Sequence, residues 1–173
     1  VLVIGGPTSE EIDDIRIITN KSSGKTAVNI TKNAFFSGAD VTLWYGKGSE
    51  IVPEYIKKTD FTSIKDLKKL VDKSNLDNFD YIFVCAAISD YVPIKKSGKI
   101  PSGKKNLNIE LKPAEKIISK IRKNGEKAKI IGFKAEVEED KIIEKSKDIL
   151  VKNNLDFVVG NKPKMPLFCT TNV

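Results

Sequence analysis

The chain has 173 residues, of which 40% are hydrophobic and 31% charged, as is typical of one soluble globular domain. Its net charge is +7, but no basic stripe is interleaved with aromatic residues, which argues against nucleic acid as a partner. The chain contains no histidine, which excludes Ser-His-Asp catalysis, histidine general bases and most zinc sites. The two cysteines, Cys85 and Cys169, form no C-x-x-C motif. Any catalysis must therefore use lysine, carboxylates, amides or a bound metal.

Apolar runs and amphipathic stretches alternate along the chain. Apolar runs predict strands at residues 1–4, 41–45, 53–59, 81–87, 129–133 and 156–160. Helical periodicity or capping signals predict helices at residues 24–38, 63–73, 115–124 and 138–154. Residues 92–105 show neither pattern and are rich in lysine, serine, proline and glycine, which predicts a long exposed loop that acts as a mobile lid. Leu107, Ile109 and Leu111 alternate with polar residues, as in a half-exposed strand.

This alternation predicts an α/β protein with a three-layer, Rossmann-like fold, a mainly parallel sheet and a long lid loop. No internal repeat or linker divides the chain, so we expect one nucleotide-binding domain over residues 1–173. Val1 already lies in an apolar run without an initiator methionine, and the longest apolar runs are too short to span a bilayer. We therefore interpret the sequence as an excerpt of a longer polypeptide that does not enter a membrane.

Two segments near the start predict a phosphate-binding loop. Gly6 and Thr8 follow the first strand, and Ser22, Ser23 and Gly24 precede the first helix. Backbone N–H groups and hydroxyls at a helix N-terminus favour an anion. The pattern is neither a Walker loop nor G-x-G-x-x-G, because glycines are missing from the required positions. Plain capping of the helix by these residues is the alternative interpretation.

Polar side chains also stand where the predicted strands end. They are Thr8, Asn20, Ser89, Asp90, Glu136 and Asn161. In parallel sheets, ligands bind beyond the carboxyl ends of the strands. The sequence therefore predicts a ligand site at that edge of the sheet.

Five ordered blocks of this sequence resemble one known family. The blocks are GGPTSEEIDDIRIITNKSSGK near the start, CAAISDY at 85–91, GKIPSGKKNL in the lid region, GFKAEV at 132–137 and LDFVVGN at 155–161. In order and spacing they are similar to the phosphopantothenoylcysteine synthetase (CoaB) domain, which is usually fused behind a flavin-dependent decarboxylase. The resemblance covers essentially the whole chain.

The resemblance implies a ligase of coenzyme A biosynthesis. The carboxylate of 4′-phosphopantothenate would attack the α-phosphate of a nucleoside triphosphate, CTP in most prokaryotic relatives, to give an acyl-nucleotidylate and pyrophosphate. The amine of cysteine would then displace the nucleotide to give 4′-phospho-N-pantothenoylcysteine. The resemblance further implies Mg²⁺ with CTP, FMN only in the fused decarboxylase half, a homodimer and a cytoplasmic location. No metal ligand among the protein side chains can be assigned.

The resemblance assigns two catalytic residues and a substrate site. Asn20 matches the family's asparagine that holds the acyl-nucleotidylate for attack, whereas a turn-forming asparagine is the plain alternative. Lys99 matches the lysine that opens the lid motif and faces the triphosphate, although Pro101 and Ser102 replace further lysines there. The phosphate and substrate would be held by Gly6, Thr8, Ser22, Ser23, Gly24 and Asn161.

The resemblance places the nucleotide against residues from several separate segments of the chain. They are Val84, Cys85, Ala86, Asp90, Lys99, Glu115, Lys116, Ile117, Ile118, Phe133 and Lys152. Cys85 and Phe133 also fit as ordinary buried residues. Relatives carry Asn-Pro-Asp near residues 115–118 and two lysines on the helix that follows residue 137. The straightforward alignment places Ile149 and Asn153 at those lysine positions, so Lys145 and Lys152 are candidates to replace them.

Two other classes compete with the ligase interpretation. A dehydrogenase with an atypical dinucleotide loop predicts an acidic residue after the second strand, and Tyr45-Gly46-Lys47 offers none. A Rossmann-type module that only binds nucleotide or phosphate would not need Asn20, Asp90 and Lys99 on three separate loops. Release of pyrophosphate separates the ligase from the module.

Overall fold

The protein is described by a computed structural model that covers residues 1–103, 105–162 and 167–171. The main sheet contains seven strands, which are β1 (Leu2–Gly5), β4 (Thr42–Gly46), β5 (Lys57–Phe61), β6 (Tyr81–Val84), β9 (Lys129–Ala135), β10 (Phe157–Asn161) and β11 (Leu167–Thr171). Two smaller sheets pair β2 (Ser9–Glu11) with β3 (Ile17–Thr19), and β7 (Tyr91–Pro93) with β8 (Leu111–Pro113). The helices are α1 (Lys25–Phe36), α2 (Ile64–Lys73), α3 (Ile117–Asn124) and α4 (Ile142–Lys152).

The main sheet has the strand order β11-β10-β9-β6-β1-β4-β5. Its first six strands in the chain pair in parallel, and β11 alone pairs antiparallel, at the edge beside β10. The order reverses at β1, which lies between β6 and β4, so that the chain winds in both directions from the centre. The predicted α/β, three-layer, mainly parallel fold is confirmed.

Two apolar clusters cover the two faces of the sheet. On one face α1 packs through Ala27 and Val28 against Val3 and Leu43. On the other face α2, α3 and α4 bury aliphatic side chains against the sheet; these are Leu67, Val71, Ile117, Ile121 and Leu150. This arrangement leaves the carboxyl ends of β1, β6 and β9 at one edge, where the connecting loops meet.

The start of α2 is fixed by a capping box and by a buried acid from another sheet. The Ser63 hydroxyl accepts a hydrogen bond from the Asp66 amide, and the Asp66 carboxylate accepts one from the Ser63 amide, both at 3.2 Å. Glu10 of β2 accepts from the Ile64 amide at 2.8 Å. The β2–β3 hairpin is therefore attached directly to α2.

Several element boundaries differ from the sequence-based expectations. The strand expected at 53–59 is β5 at Lys57–Phe61, and the helix expected at 138–154 begins with a 3₁₀ turn at Glu139–Lys141 before α4. The alternation over 107–111 predicted the wrong strand, because only Leu111–Pro113 pairs, with β7. Strands β2, β3 and β11 were not predicted. Their runs are short or exposed, so the period-2 signal of a strand is weak there.

The predicted lid loop is less uniform than its composition suggests. Its first residues form β7, and both Pro93 and Ile100 are buried rather than exposed. Within the part of the chain that the structure describes, no helix is long and apolar enough to cross a membrane.

Candidate functional site

A pocket of about 280 Å³ opens at the carboxyl ends of β6 and β9. The ends of the two strands contribute Val84, Ala86 and Phe133, and the first turn of α3 contributes Ile117 and Ile118. An apolar floor with a polar rim suits a planar base and its sugar. Nine of the residues expected to bind nucleotide line this pocket, and they are Val84, Ala86, Asp90, Glu115, Lys116, Ile117, Ile118, Phe133 and Lys152.

Charged side chains on the rim of this pocket are paired with each other or with neighbours. The Lys116 ammonium contacts the Asp90 carboxylate, and Lys68 of α2 contacts Glu115. Hydrogen bonding to Glu115 raises the pKa of Lys68. Because all four side chains are well exposed, a polyanionic ligand can replace these carboxylates as the partner of the lysines at little cost.

Asn20 is joined to the pocket through Ser89. The Asn20 side-chain nitrogen donates to the Ala87 carbonyl at 2.8 Å and reaches the Ser89 hydroxyl at 3.4 Å. The Ser89 hydroxyl also lies 3.1 Å from the Thr8 hydroxyl, and Ser89 itself lines the pocket. Thr8 is fully buried, so its hydroxyl holds the Ser89 hydroxyl in a fixed position.

The side-chain carbonyl of Asn20 is not engaged in the same way as its nitrogen. No donor among residues 1–103 and 105–162 contacts it within hydrogen-bonding distance. Because the nitrogen is occupied by Ala87, this oxygen remains available as an acceptor for a ligand amine or hydroxyl.

The start of α1 leaves part of its first turn without side-chain caps. Gly24 occupies the N-cap position with φ 80°, and no side chain accepts from the first turn in the manner of an N-cap. The Ser23 hydroxyl accepts a 3.2 Å bond from Lys25, while its carbonyl accepts bonds from the Tyr45 hydroxyl and the Glu50 amide. Ser23 therefore caps the Lys25 amide, which agrees in part with the plain-capping interpretation. The free amides of the first turn retain the positive end of the helix dipole.

Gly24 needs to be a glycine for a second reason. A Cβ atom at this position would lie 2.4 Å from the Tyr45 hydroxyl, in addition to the strained positive φ. Gly6 is similar, since its φ is 80° and a Cβ would lie 1.7 Å from the Gly46 carbonyl oxygen. Close packing of backbone explains Gly6, whereas its expected role in substrate binding remains a prediction.

Nine of the expected site residues lie outside the lining of this pocket, and they are Gly6, Thr8, Asn20, Ser22, Ser23, Gly24, Cys85, Lys99 and Asn161. Lys99 is exposed on the loop after β7, and Asn161 lies at the end of β10, beyond β9 from β6. Burial raises the pKa of the Cys85 thiol to about 12, which fits the interpretation of Cys85 as an ordinary buried residue. Ser22 is half-buried in the segment before α1.

Five lining residues were absent from the expected set, and they are Ile88, Ser89, Ser119, Ile149 and Asn153. The Ser119 hydroxyl donates to the Asn153 side chain at 2.9 Å, which links α3 to α4 across the pocket wall. Ile149 and Asn153 are one helical turn apart, and this spacing was the signal in the sequence that one face of α4 carries both residues. The pairing of α3 with α4 had no signal in the sequence.

The two lysines proposed to replace the missing helix lysines have different surroundings. Lys152 lines the pocket and makes no ion pair with any residue that the structure describes. Lys145 contacts Glu136, and this contact lowers the pKa of the Glu136 carboxyl to about 2. Of these two lysines, only Lys152 is therefore available to a ligand in this pocket.

Comparison with known proteins identifies the class to which this fold and site belong. Residues 1–168 match the family described as the DNA/pantothenate metabolism flavoprotein C-terminal domain. The chain is 36% identical over 169 residues to the coenzyme A biosynthesis bifunctional protein CoaBC of Thermococcus kodakarensis, covering 95% of this chain and 41% of that protein. The chain belongs to this flavoprotein C-terminal domain family.

Solved structures agree with the family assignment. The DNA/pantothenate metabolism flavoprotein from Streptococcus pneumoniae superposes with a TM-score of 0.83 at 26% identity, covering 99% of this chain and 91% of that one. The C-terminal domain of a CoaBC protein superposes with a TM-score of 0.77 at 27% identity, covering 98% and 84%. The chain spans about two-fifths of the length of the curated bifunctional relatives that it matches.

Proposed function

We propose that this chain is a phosphopantothenate–cysteine ligase of coenzyme A biosynthesis, as a domain of a longer protein. The observation that carries the proposal is the link from Asn20 through Ser89 to the pocket at the carboxyl ends of β6 and β9. It places a fixed amide beside a cavity suited to a nucleotide. Membership of a family whose curated members include bifunctional coenzyme A biosynthesis proteins supports the same reaction.

The first step would be attack of the 4′-phosphopantothenate carboxylate on the α-phosphate of CTP, with pyrophosphate leaving. The base and ribose would lie against Phe133 and Ile117, and Lys152 would meet phosphate oxygens. Such a reaction needs positioning and neutralisation of charge, and it needs no histidine.

The second step would be attack of the cysteine amine on the acyl carbon, with CMP as the leaving group. The free carbonyl oxygen of Asn20 suits the role of acceptor for a hydrogen of that amine. The phosphate of the pantothenate moiety would lie at the start of α1, where amides of the first turn face an anion.

Mg²⁺ would accompany CTP. Among the described residues, no group of three acidic or thiol side chains could hold a metal ion. The triphosphate would therefore supply most of the ligands, and Asp90 and Glu115 are the carboxylates that line the pocket. When bound, the ion neutralises charge on phosphate oxygens. FMN belongs to the decarboxylase half of such proteins, and we assign no flavin site to this chain.

The homodimer also remains a proposal. Strand β3 exposes all three of its residues, and Ile17 is 56% exposed. Ile15, in the turn between β2 and β3, and Leu111 of β8 are exposed as well. A second copy of the chain would cover this apolar surface. Light scattering of the purified domain would test it, and a monomeric mass at micromolar concentration would contradict it. A cytoplasmic location stays a prediction.

The central test is pyrophosphate release from CTP or ATP in the presence of 4′-phosphopantothenate and Mg²⁺, without cysteine. The ligase predicts release that depends on phosphopantothenate and a trapped acyl-nucleotide detectable by mass spectrometry. A non-catalytic nucleotide- or phosphate-binding module predicts nucleotide binding without release. Preference for CTP over ATP would follow from the ratio of kcat/KM for the two nucleotides.

A further inference from the structure

Asp13 is a buried carboxylate that lies outside the pocket. Its side chain is fully buried, and burial of an unpaired carboxylate would be very unfavourable. Four local bonds satisfy it in part. The amides of Ile15 and Arg16 donate to Oδ1 at 2.9 and 2.7 Å, and the Arg16 guanidinium donates to Oδ2 through two nitrogens.

The fifth donor to Asp13 comes from a distant part of the chain. The Ile100 amide donates to Oδ2 at 2.9 Å from 87 residues away. The Arg16 guanidinium in turn donates to the Ile100 carbonyl at 2.8 Å. Both backbone groups of Ile100 are thus held by the turn between β2 and β3, and the side chain of Ile100 is buried.

Asp14 holds the loop two residues earlier. Its carboxylate accepts from the Gly98 amide at 2.8 Å, and its own amide donates to the Gly98 carbonyl at 3.3 Å. Lys95 pairs with Asp14 and Glu11, at 3.0 and 2.8 Å. The turn between β2 and β3 and the loop after β7 are therefore joined by one group of contacting residues, which we term the Asp13 cluster: Asp13, Asp14, Arg16, Gly98 and Ile100.

The Asp13 cluster holds both sequence neighbours of Lys99, and the hairpin that contains Asp13 leads into Asn20. Lys99 lies between the two fixed residues Gly98 and Ile100, and its own side chain is exposed. Asn20 follows β3, four residues after Arg16. The loop up to residue 100 is consequently attached to the β2–β3 hairpin, which leads into Asn20.

We propose that Asp13 is a positioning residue that fixes the backbone around Lys99 against the β2–β3 hairpin, which leads into Asn20. This inference rests on the proposed ligase function for the roles of Lys99 and Asn20. It changes the expectation of one mobile lid over 92–105, because the structure attaches the first part of that segment. Asp13 would act through the backbone of residues 98–100 and would not touch the reacting atoms.

The test compares Asp13→Asn with the wild-type domain in two measurements. Amide hydrogen exchange at Gly98 and Ile100 should be slow in the wild type and at least about tenfold faster in the variant, as expected for loss of a local closing contact. The kcat for pyrophosphate release should fall about tenfold or more, because Lys99 is no longer held in place.

Two control variants separate positioning from stability. Asp40→Asn makes the same charge change at an exposed aspartate and should alter neither measurement. Asp156→Asn removes a partly buried partner of Arg122 and Lys129, just before β10 and far from the Asp13 cluster in the sheet order. It should lower stability without accelerating exchange at Gly98 and Ile100, and it should leave pyrophosphate release intact at temperatures where it is folded. If Asp13→Asn does not fold, Arg16→Lys, which keeps the charge but loses the forked contact, takes its place.

Either of two results would overturn the inference. One is unchanged exchange at both amides in Asp13→Asn, and the other is faster exchange with undiminished pyrophosphate release. Absence of pyrophosphate release from the wild type would instead contradict the ligase proposal. In that case the exchange data alone would still decide whether Asp13 fixes the loop.

Discussion

Asn20 has one engaged and one free side-chain atom, and this asymmetry gives it a testable role. Asn20→Asp would place a carboxylate oxygen against the Ala87 carbonyl, where the amide nitrogen now donates at 2.8 Å. We expect the acyl-nucleotide to form at close to the wild-type rate, and transfer to cysteine to fall by about 100-fold, as for loss of a group used in one step. Quenched reactions analysed by mass spectrometry measure both steps. Asn29→Asp, at an exposed site on α1, is the control, and equal loss of both steps would refute the role.

Lys152 and Lys145 provide a second comparison at the residue scale. Lys152→Gln removes an unpaired charge from the pocket and should raise KM for the nucleotide by roughly five- to tenfold. Lys145→Gln removes the partner of Glu136 instead, so it should lower stability while changing that KM less than about twofold. Steady-state kinetics with CTP and with ATP, alongside urea unfolding, would measure both effects. Similar KM values for the two variants would contradict the assignment.

The residues that the sequence could and could not predict differ in a physical way. The alternation of elements predicted a site at the carboxyl ends of the strands, whereas the assignment of Val84, Ala86 and Phe133 to it came from the family resemblance. The contact between Asp13 and Ile100 spans 87 residues, and no local pattern indicates it. Because this contact has no local signal, Lys99 was expected to lie on a mobile lid. Such contacts depend on the packing of two small sheets, which only the structure shows.

At the element scale, α4 carries a buried hydroxyl that tests its packing on the sheet. Ser146 is fully buried, and its hydroxyl has no hydrogen-bond partner among the residues that the structure describes. A Cβ on Gly160 would lie 2.9 Å from this hydroxyl, so helix and strand are in close contact.

Ser146→Ala should raise the free energy of unfolding by about 1 kcal/mol, because an unsatisfied buried hydroxyl is removed and alanine favours the helix. The contrasting variant is Thr31→Val on α1, whose buried hydroxyl donates to the Ala27 carbonyl at 2.8 Å. Loss of this hydrogen bond in Thr31→Val should lower the free energy of unfolding or leave it unchanged. Urea unfolding measures both, and a destabilised Ser146→Ala would indicate a partner for that hydroxyl.

The elements were easier to predict in the centre of the sheet than at its edges. Strand β1 is buried along its whole length and gives a continuous apolar run. Strand β3 is exposed throughout and has three residues, so its Ile17-Ile18-Thr19 was interpreted as part of a loop. The antiparallel strand β11 contains Cys169 and two threonines, a pattern that does not distinguish a strand from a tail.

At the scale of the whole molecule, acidic groups hold the peripheral segments to the core. Asp13 fixes the loop after β7, Glu10 fixes α2, and Glu136 caps the end of β9 through the Val137 amide and Lys145. Hydrogen bonds with Arg16 hold the pKa of Asp13 well below its ordinary value of 3.8, and the contact with Lys145 lowers that of Glu136 from 4.5 to about 2. Burial raises the pKa of Glu10 above 4.5.

These shifts give the stability of the domain a definite dependence on pH. A carboxyl whose folded-state pKa is lowered contributes stability that is complete above its unfolded pKa and is lost as the pH falls towards the folded value. Asp13 and Glu136 therefore predict a loss of stability from about pH 4.5 down to about pH 2. Glu10 acts in the opposite sense, because protonation relieves its buried charge, and it offsets only part of the loss. The urea concentration at the midpoint of unfolding should decrease as the pH is lowered from 5 to 3.

Glu136→Gln isolates one of these contributions. The variant should be less stable than the wild type at pH 7. The difference should shrink as the pH falls from about 4.5 to about 2, because the Glu136 carboxyl of the unfolded chain takes up a proton in this range before that of the folded protein does. Glu138→Gln, at an exposed neighbouring site, serves as the comparison and should show a smaller difference at pH 7. A stability difference for Glu136→Gln that is the same at pH 3 and pH 7 would mean that Lys145 and the Val137 amide gain nothing from the charge, and that the end of β9 is held by packing alone.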